Sequence, residues 1–403
     1  MAALGADFAL FMIGLSFASH ATILPAFAVE LGAPNVAIGA IPAVMTLGWF
    51  LPALFFAGHT ETLARRLPFV LRWTVWERVP FLFLAVIAFV IAGRLPGLAL
   101  ALLLVSLLLT AGAGGLLMPA WMDIIGRAIP TALRGRFFAV SSAVSSAGGL
   151  AGSFATAWIL GAVASPASFG VCFLIAAGFM GLSYIALAVV REPPAPALAP
   201  RTSLRAYLRR MPDLLRRDRN FSWYLVTRAF GLLGGMSAAF FTVFALSAHG
   251  ASTREVGYFT AVLYAGQIIG TLGCGWLADR AGHRLVILIG VHALVFANAV
   301  ALLAPDVYWF SLVFALNGLM QAAVNVSNMN ILLEFAPTAE ERPTYVGLGN
   351  TIAAPFAFAA PILAGVIADT AGFRTVFLLS GATAVACALL MVARVREPRT
   401  VTT

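Results

Sequence analysis

The chain has no lysine, and only 10% of its 403 residues are charged. A soluble domain carries roughly 25% charged residues, so this chain could not cover a surface facing water. Without lysine, the phosphate-binding glycine loop that ends in one is excluded. The five histidines are scattered at 20, 59, 249, 283 and 292, with no His-Glu-x-x-His motif. No enzyme constellation forms, and an ATP-driven pump would need a nucleotide domain for which there is no room. Three cysteines, Cys172, Cys274 and Cys387, fall in separate apolar segments and read as small packing residues. They offer neither a disulfide framework nor a metal site, and no cofactor is expected. No basic region precedes Leu10, and the first apolar run is too long for the core of a signal peptide.

What the chain has in abundance is apolar length. Hydrophobic residues make up 61% of it, and the mean hydropathy is +0.96. Twelve apolar runs, at about 7–30, 35–58, 73–93, 97–124, 136–163, 168–190, 221–247, 255–278, 284–303, 307–334, 343–368 and 373–395, are each long enough to cross a bilayer as a helix. A spanning β-barrel would show short alternating segments instead. Twenty-one of the 25 basic residues, all arginine, fall in the loops on one side of these runs and at the C-terminus. Three, Arg94, Arg254 and Arg374, fall on the other side, and Arg228 lies inside a run. This asymmetry predicts cytoplasmic termini and an even number of helices in a plasma (inner) membrane. It also accounts for the formal charge of +9 without a nucleic-acid partner.

The runs divide into two similar halves. Residues 1–190 and 221–403 are each expected to form a six-helix bundle, joined by a basic cytoplasmic linker at 191–220. Within the linker, 203–218 has the pattern of a short amphipathic helix, interrupted by Pro212. Val190-Arg191-Glu192-Pro193 recurs as Val395-Arg396-Glu397-Pro398, 205 residues later. Gly161-Ala162-Val163-Ala164 recurs as Gly365-Val366-Ile367-Ala368, 204 later, and Asp123 with Pro130-Thr131-Ala132 as Asn330 with Pro337-Thr338-Ala339, 207 later. Repeated halves are the architecture of alternating-access carriers.

Between the eighth and ninth runs stands Gly275-Trp276-Leu277-Ala278-Asp279-Arg280-Ala281-Gly282-His283-Arg284. A glycine there lets helices approach closely, an aspartate can accept from a free helix start, and Arg280 and Arg284 can anchor on headgroups or acids. The segment resembles the signature loop of the major facilitator superfamily. The resemblance extends over the chain through the twelve runs, the long central loop and the Pro130…Arg134-Gly135-Arg136 loop. The first-half counterpart, Gly58 to Arg66, keeps the glycine and the basic end but lacks the Asp-Arg pair, with Glu61 as the candidate substitute. That departure argues against two equal latches. The resemblance implies a gate built from Asp123, Arg134, Gly275, Asp279, Arg280, Arg284 and Glu334. Antiporter members carry a Gly-Pro pair on the fifth helix; here Gly148-Gly149-Leu150-Ala151-Gly152 has no proline and reads as close packing.

Polar groups inside spanning helices are costly and so are candidate sites. His20 lies near the middle of the first run, with Ser16 a turn earlier on the same helical face; a histidine can relay protons near neutral pH. Arg228 lies roughly 9 Å from the centre of the seventh run, at about 1.5 Å per residue. It is expected to bind an anionic group, pair with Asp123 or Glu334, or snorkel. Asn317, Gln321, Asn325 and Asn328 share one face of the tenth run. In the family the first, fourth, seventh and tenth helices line a central cavity, so this stripe would line it too. Gln267, His292, Asn298 and Asn350 are further candidates. Glu77 and Arg78, beside Trp73 and Trp76, read as an interfacial anchor, and Asp123 as a partner of Arg127.

The combined reading is an all-α membrane protein of twelve spanning helices in two pseudo-symmetric six-helix bundles. It is expected to be a secondary transporter, not an enzyme, working as a monomer on a small solute with H+ as the coupling ion. Export of an amphipathic compound comes first and uptake of a polar nutrient such as a sugar second. A lipid flippase or a non-transporting receptor is the alternative of another class.

Overall fold

The computed structural model describes residues 1–60, 63, 65–192, 214–338 and 341–400. Glu61 and most of the linker lie outside the described residues. All regular structure among the described residues is helical. Among the described residues ten helices are long and apolar enough to cross a membrane, and two shorter apolar helices, Ala2–Ser16 and Asn35–Phe50, fall in the first and second apolar runs. Large side chains that water would reject lie on outward faces: Leu272 is 73% exposed and Leu303 78%. Such faces suit lipid. The protein is therefore a multi-pass membrane protein.

Each apolar run becomes one helix or a broken pair. The first run gives α1 (Ala2–Ser16) and α2 (Ile23–Glu30). Pro25 has no N–H to continue a helix through residue 21, but in the first turn of α2 that lack costs little. The second run gives α3 (Asn35–Thr60). The third gives α4 (Leu67–Trp73) and α5 (Val75–Val86), which runs on through a π-turn at Ile87–Ile91. Then come α6 (Pro96–Ala128), α7 (Thr131–Ala162) and α8 (Ala167–Ala188). The seventh run breaks at Gly234-Gly235 into α9 (Arg219–Gly234) and α10 (Phe240–Ala248), because glycine is a weak helix former. The rest are α11 (Thr253–Ala281), α12 (His283–Leu303), α13 (Val307–Phe335), α14 (Arg342–Ala371) and α15 (Phe373–Arg394).

The chain forms two compact units. One comprises Met1–Arg201 with Ser252–Ala261, the other Thr202–Ala251 with Val262–Thr403. The start of α11 is thus part of the first unit, where Thr253 Oγ1 donates to the Leu160 carbonyl (3.2 Å).

The same device crosses two helices in each unit. In the first, α3 meets α6 so closely that a Cβ on Gly115 would lie 2.2 Å from the Trp49 carbonyl oxygen, and one on Gly48 would lie 2.8 Å from Ala111. In the second, α11 meets α13 at Gly266 and Gly318, whose Cβ atoms would lie 2.3 Å from the Ala315 oxygen and 2.2 Å from the Leu263 oxygen. Without an aqueous driving force between spanning helices, backbone-to-backbone packing at small residues holds them together.

Candidate functional site

In the first unit, α1, α5, α6 and α8 enclose an ionic cluster. Asp7 and Arg78 are 3% and 7% exposed. Arg78 Nη2 donates to Asp7 Oδ1 (2.8 Å) and to Ser183 Oγ (3.0 Å). Ser183 Oγ donates to Asp7 Oδ1 (2.6 Å), and Trp121 Nε1 to Asp7 Oδ2 (3.1 Å). Arg78 Nη1 reaches Glu77 Oε2 (3.2 Å) and the Thr74 hydroxyl, which itself donates to Glu77 Oε2 (3.0 Å). The guanidinium also sits 5.2 Å from the centre of the Phe11 ring. The interfacial-anchor reading of Glu77 and Arg78 is corrected here. Trp73 and Trp76 are exposed as that reading requires, but the arginine beside them turns inward to a carboxylate 71 residues away. Asp7 was missed by sequence reasoning; its signal was a single acid inside the first apolar segment.

His20 is exposed and lies in the break between α1 and α2. Ser16 is fully buried, donates to the Ile13 carbonyl (2.7 Å) and packs where a Cβ on Gly152 of α7 would lie 2.5 Å from its oxygen. Because α1 ends at Ser16, the helical spacing that put the two on one face does not operate. Gly148 likewise faces Ile13, so the glycines of α7 serve close packing against α1.

In the second unit the amide stripe of α13 splits. Gln321 Oε1 accepts from Gln267 Nε2 (2.6 Å), a pair brought together by the Gly266–Gly318 crossing. Asn317 is fully buried, and neither atom of its amide has a partner among the described residues. Asn325 is exposed and Asn328 half-buried. Asn298 Nδ2 donates to its own helix at Leu294 (2.8 Å), and His292 Nδ1 bonds the Leu288 carbonyl (2.7 Å).

Arg228 of α9 is partly exposed, and its Nη2 donates to Asn350 Oδ1 of α14 (3.1 Å). Neither acid expected to neutralise it is free. Asp123 is paired with Arg66 and with Arg127 (2.5 Å). Glu334 is paired with Arg399 (2.5 Å) and faces His283 (3.6 Å).

The loop residues form caps and a polar cleft. Gly282 has φ +86°, a left-handed conformation that favours glycine. A Cβ there would also lie 2.3 Å from the Glu397 carboxyl. Glu397 Oε2 accepts the Arg284 N–H at the start of α12 (3.0 Å), and burial pushes this carboxyl above its ordinary value. Glu192, its counterpart in the first half, accepts the N–H groups of Arg66 (2.7 Å) and Leu67 (2.9 Å) at the start of α4. The repeated Arg-Glu-Pro motif is therefore a helix cap used twice. Arg284 donates to the carbonyls of Met391 (3.1 Å) and Val392 (3.3 Å), and Arg280 stacks 4.1 Å over Trp276. Arg134 Nε donates to the Ile129 carbonyl (3.1 Å) and so ties down the loop after α6. Gly275 corrects the close-approach reading: a Cβ there meets open space. It lines a cleft of about 710 Å³ with Asp279, His283, Glu334, Arg342 and Arg399. Asp279 is exposed, lines the cleft and caps no helix start among the described residues.

The comparisons agree with this architecture. The family model described as "Major Facilitator Superfamily" matches residues 229–403. Among curated relatives, the multidrug resistance protein MdtG of Enterobacter lignolyticus (strain SCF1) is 24% identical over 185 residues, 45% of this chain and 44% of that protein. The multidrug resistance protein Stp of Mycobacterium tuberculosis (strain CDC 1551 / Oshkosh) is 28% identical over 115 residues, 28% of this chain and 21% of that one. The match thus spans less than half the length of these relatives. Two solved structures share the fold from end to end. The nucleoside transporter NupG aligns with a TM-score of 0.74 at 11% identity, over 97% of this chain and 98% of that one. A D-xylose-proton symporter aligns with a TM-score of 0.73 at 15% identity, over 98% of each. The chain thus matches the major facilitator superfamily model over residues 229–403 and shares the fold of these solved transporters over its whole length.

Proposed function

We propose that the chain is a proton-coupled secondary transporter that exports a small organic solute by alternating access. The observation that carries this reading is the set of polar groups held inside spanning helices, where they are costly without a purpose. His20, Arg228, Gln267, Gln321, Asn325 and Asn350 are the groups offered to solute, while the buried Ser16 and Asn317 brace α1 and α13. The Asp7–Arg78–Glu77 cluster is assigned to the proton: a carboxylate that exchanges a proton for a guanidinium partner can alternate between two packings of α1, α5, α6 and α8. His20, exposed at the helix break, is a secondary relay. Export is favoured by the multidrug resistance relatives. Uptake of a polar nutrient is the second reading, supported by the Gln267–Gln321 pair, whose amides suit hydroxyl-bearing solutes.

Asp123, Arg134, Asp279, Arg280, Arg284 and Glu334, with Gly275 at the cleft, are assigned to gating. We place the protein in the plasma (inner) membrane as a monomer with cytoplasmic termini, from the arginine asymmetry. The two halves are taken as 1–190 and 221–403, joined by 191–220. The test is reconstitution of the full chain in proteoliposomes with an imposed pH gradient and a pH-sensitive dye inside. Proton movement on adding amphipathic drugs, nucleosides or pentoses supports coupling and names the class. Saturable solute flux without proton movement leaves a uniporter, and no flux of any solute sinks the transporter reading.

A further inference from the structure

Arg228 is a charge that no carboxylate among the described residues of the second unit matches. A guanidinium stays positive at every physiological pH, and within a spanning helix an unpaired charge is expensive. The acceptor it has, Asn350 Oδ1 at 3.1 Å, is neutral. Its Nη1 is buried and bonds nothing among the described residues. Four described acids of the unit are engaged elsewhere. Glu334 holds Arg399, Glu341 holds Arg217 (2.8 Å), Glu397 caps α12, and Asp218 caps α9 while accepting from the Tyr345 hydroxyl (3.0 Å). The residue as a whole is not sealed. Arg228 and Asn350 are both partly exposed. Facing them is Gly349, where a Cβ would lie 3.2 Å from Nη1, so a side chain there would crowd the guanidinium.

We propose that Arg228 and Asn350 form an anion subsite that takes a carboxylate, or a sulfonate or phosphonate, of the solute. Arg228 Nη1, which has no acceptor among the described residues, and the Asn350 amide N–H are donors for it, while the Arg228–Asn350 bond holds the fork in place. Guanidinium presents parallel donors that match a planar carboxylate. The inference rests on the transporter reading and narrows its cargo to molecules carrying negative charge.

The experiment is thermal unfolding of the purified full chain with benzoate, citrate and phenylphosphonate, against benzamide and tetraphenylphosphonium as neutral and cationic controls. Wild type, Arg228→Gln and Arg228→Lys are compared. In the absence of added solute, Arg228→Gln should unfold at the same temperature as wild type or higher, because it removes an unmatched charge. At least one anion should stabilise wild type beyond benzamide. Its affinity should fall about tenfold or more in Arg228→Gln, and by less in Arg228→Lys. The proposal is overturned if Arg228→Gln unfolds well below wild type without ligand, if no anion outbinds benzamide, or if anion affinity ignores the substitution. Proteoliposome counterflow separates the two readings. Counterflow of the anions at an unchanged rate in Arg228→Gln keeps the transporter and removes the subsite. Arg228-dependent anion binding with no counterflow of any solute keeps the subsite and removes the transporter.

Discussion

Arg78 in the first unit and Arg228 in the second both lie within spanning helices, and they are held in opposite ways. Arg78 is 7% exposed and meets two carboxylates, a serine and a threonine. Arg228 meets one neutral amide and is open to a ligand. The first is a completed ionic cluster, and such clusters are costly to break from one side but add little net stability over apolar packing. The second is a charge kept ready. An arginine within the spans therefore belongs to an internal ionic cluster or to recognition according to whether the protein itself supplies the counter-charge.

Removing Arg78 would break this contrast most strongly. Arg78→Ala strands Asp7 in a dry site and should destabilise the protein by about 3–5 kcal/mol, whereas Arg228→Ala should stay within about 1 kcal/mol. Thermal unfolding of the purified variants reads both, and equal losses would erase the distinction.

The glycine crossings sharpen it next, because they are the feature the units share. Gly115→Val and Gly318→Val should each cost about 1–3 kcal/mol or more, since backbone cannot move aside. Gly178→Val, where a Cβ meets nothing within 4 Å, is the matched control and should be nearly silent. A silent Gly318→Val would show that the second crossing is looser than drawn.

Two glycines with positive φ in the second unit separate strain from crowding. Gly282→Ala and Gly372→Ala, at φ +86° and +81°, should each cost about 1–2 kcal/mol from the backbone. Gly282→Ala should lose more, because its methyl also meets Glu397, and adding Glu397→Ala should remove that excess.

The smallest effect concerns Glu397 alone. Its carboxyl is raised, so the stability it contributes is present below the unfolded value and lost as pH rises through the folded one. Between about pH 4 and pH 7, wild type should lose unfolding temperature relative to Glu397→Gln. A parallel pair of curves would mean that the carboxyl is not perturbed.

Much of the fold was legible because its cause is local. A run of some twenty apolar residues is a spanning helix whatever surrounds it. The repeated Val-Arg-Glu-Pro was legible as a repeat, though not as a pair of caps, because the N–H groups that Glu192 and Glu397 accept belong to helices more than 100 residues away in sequence. The site was less legible. Helical spacing placed Ser16 beside His20, and a break at Ser16 undid it. The face of α13 put Asn317 and Gln321 together, yet one is sealed and the other is tied to Gln267.

By itself the sequence determined the class of protein and its apolar runs, since composition and run length act residue by residue. Tertiary structure decided which intramembrane charges are neutralised. Asp7 lies 71 residues from Arg78, and Arg228 finds Asn350 rather than an acid. In a low-dielectric interior that pairing depends on distances of a few ångströms between helices, and no single stretch of sequence specifies them.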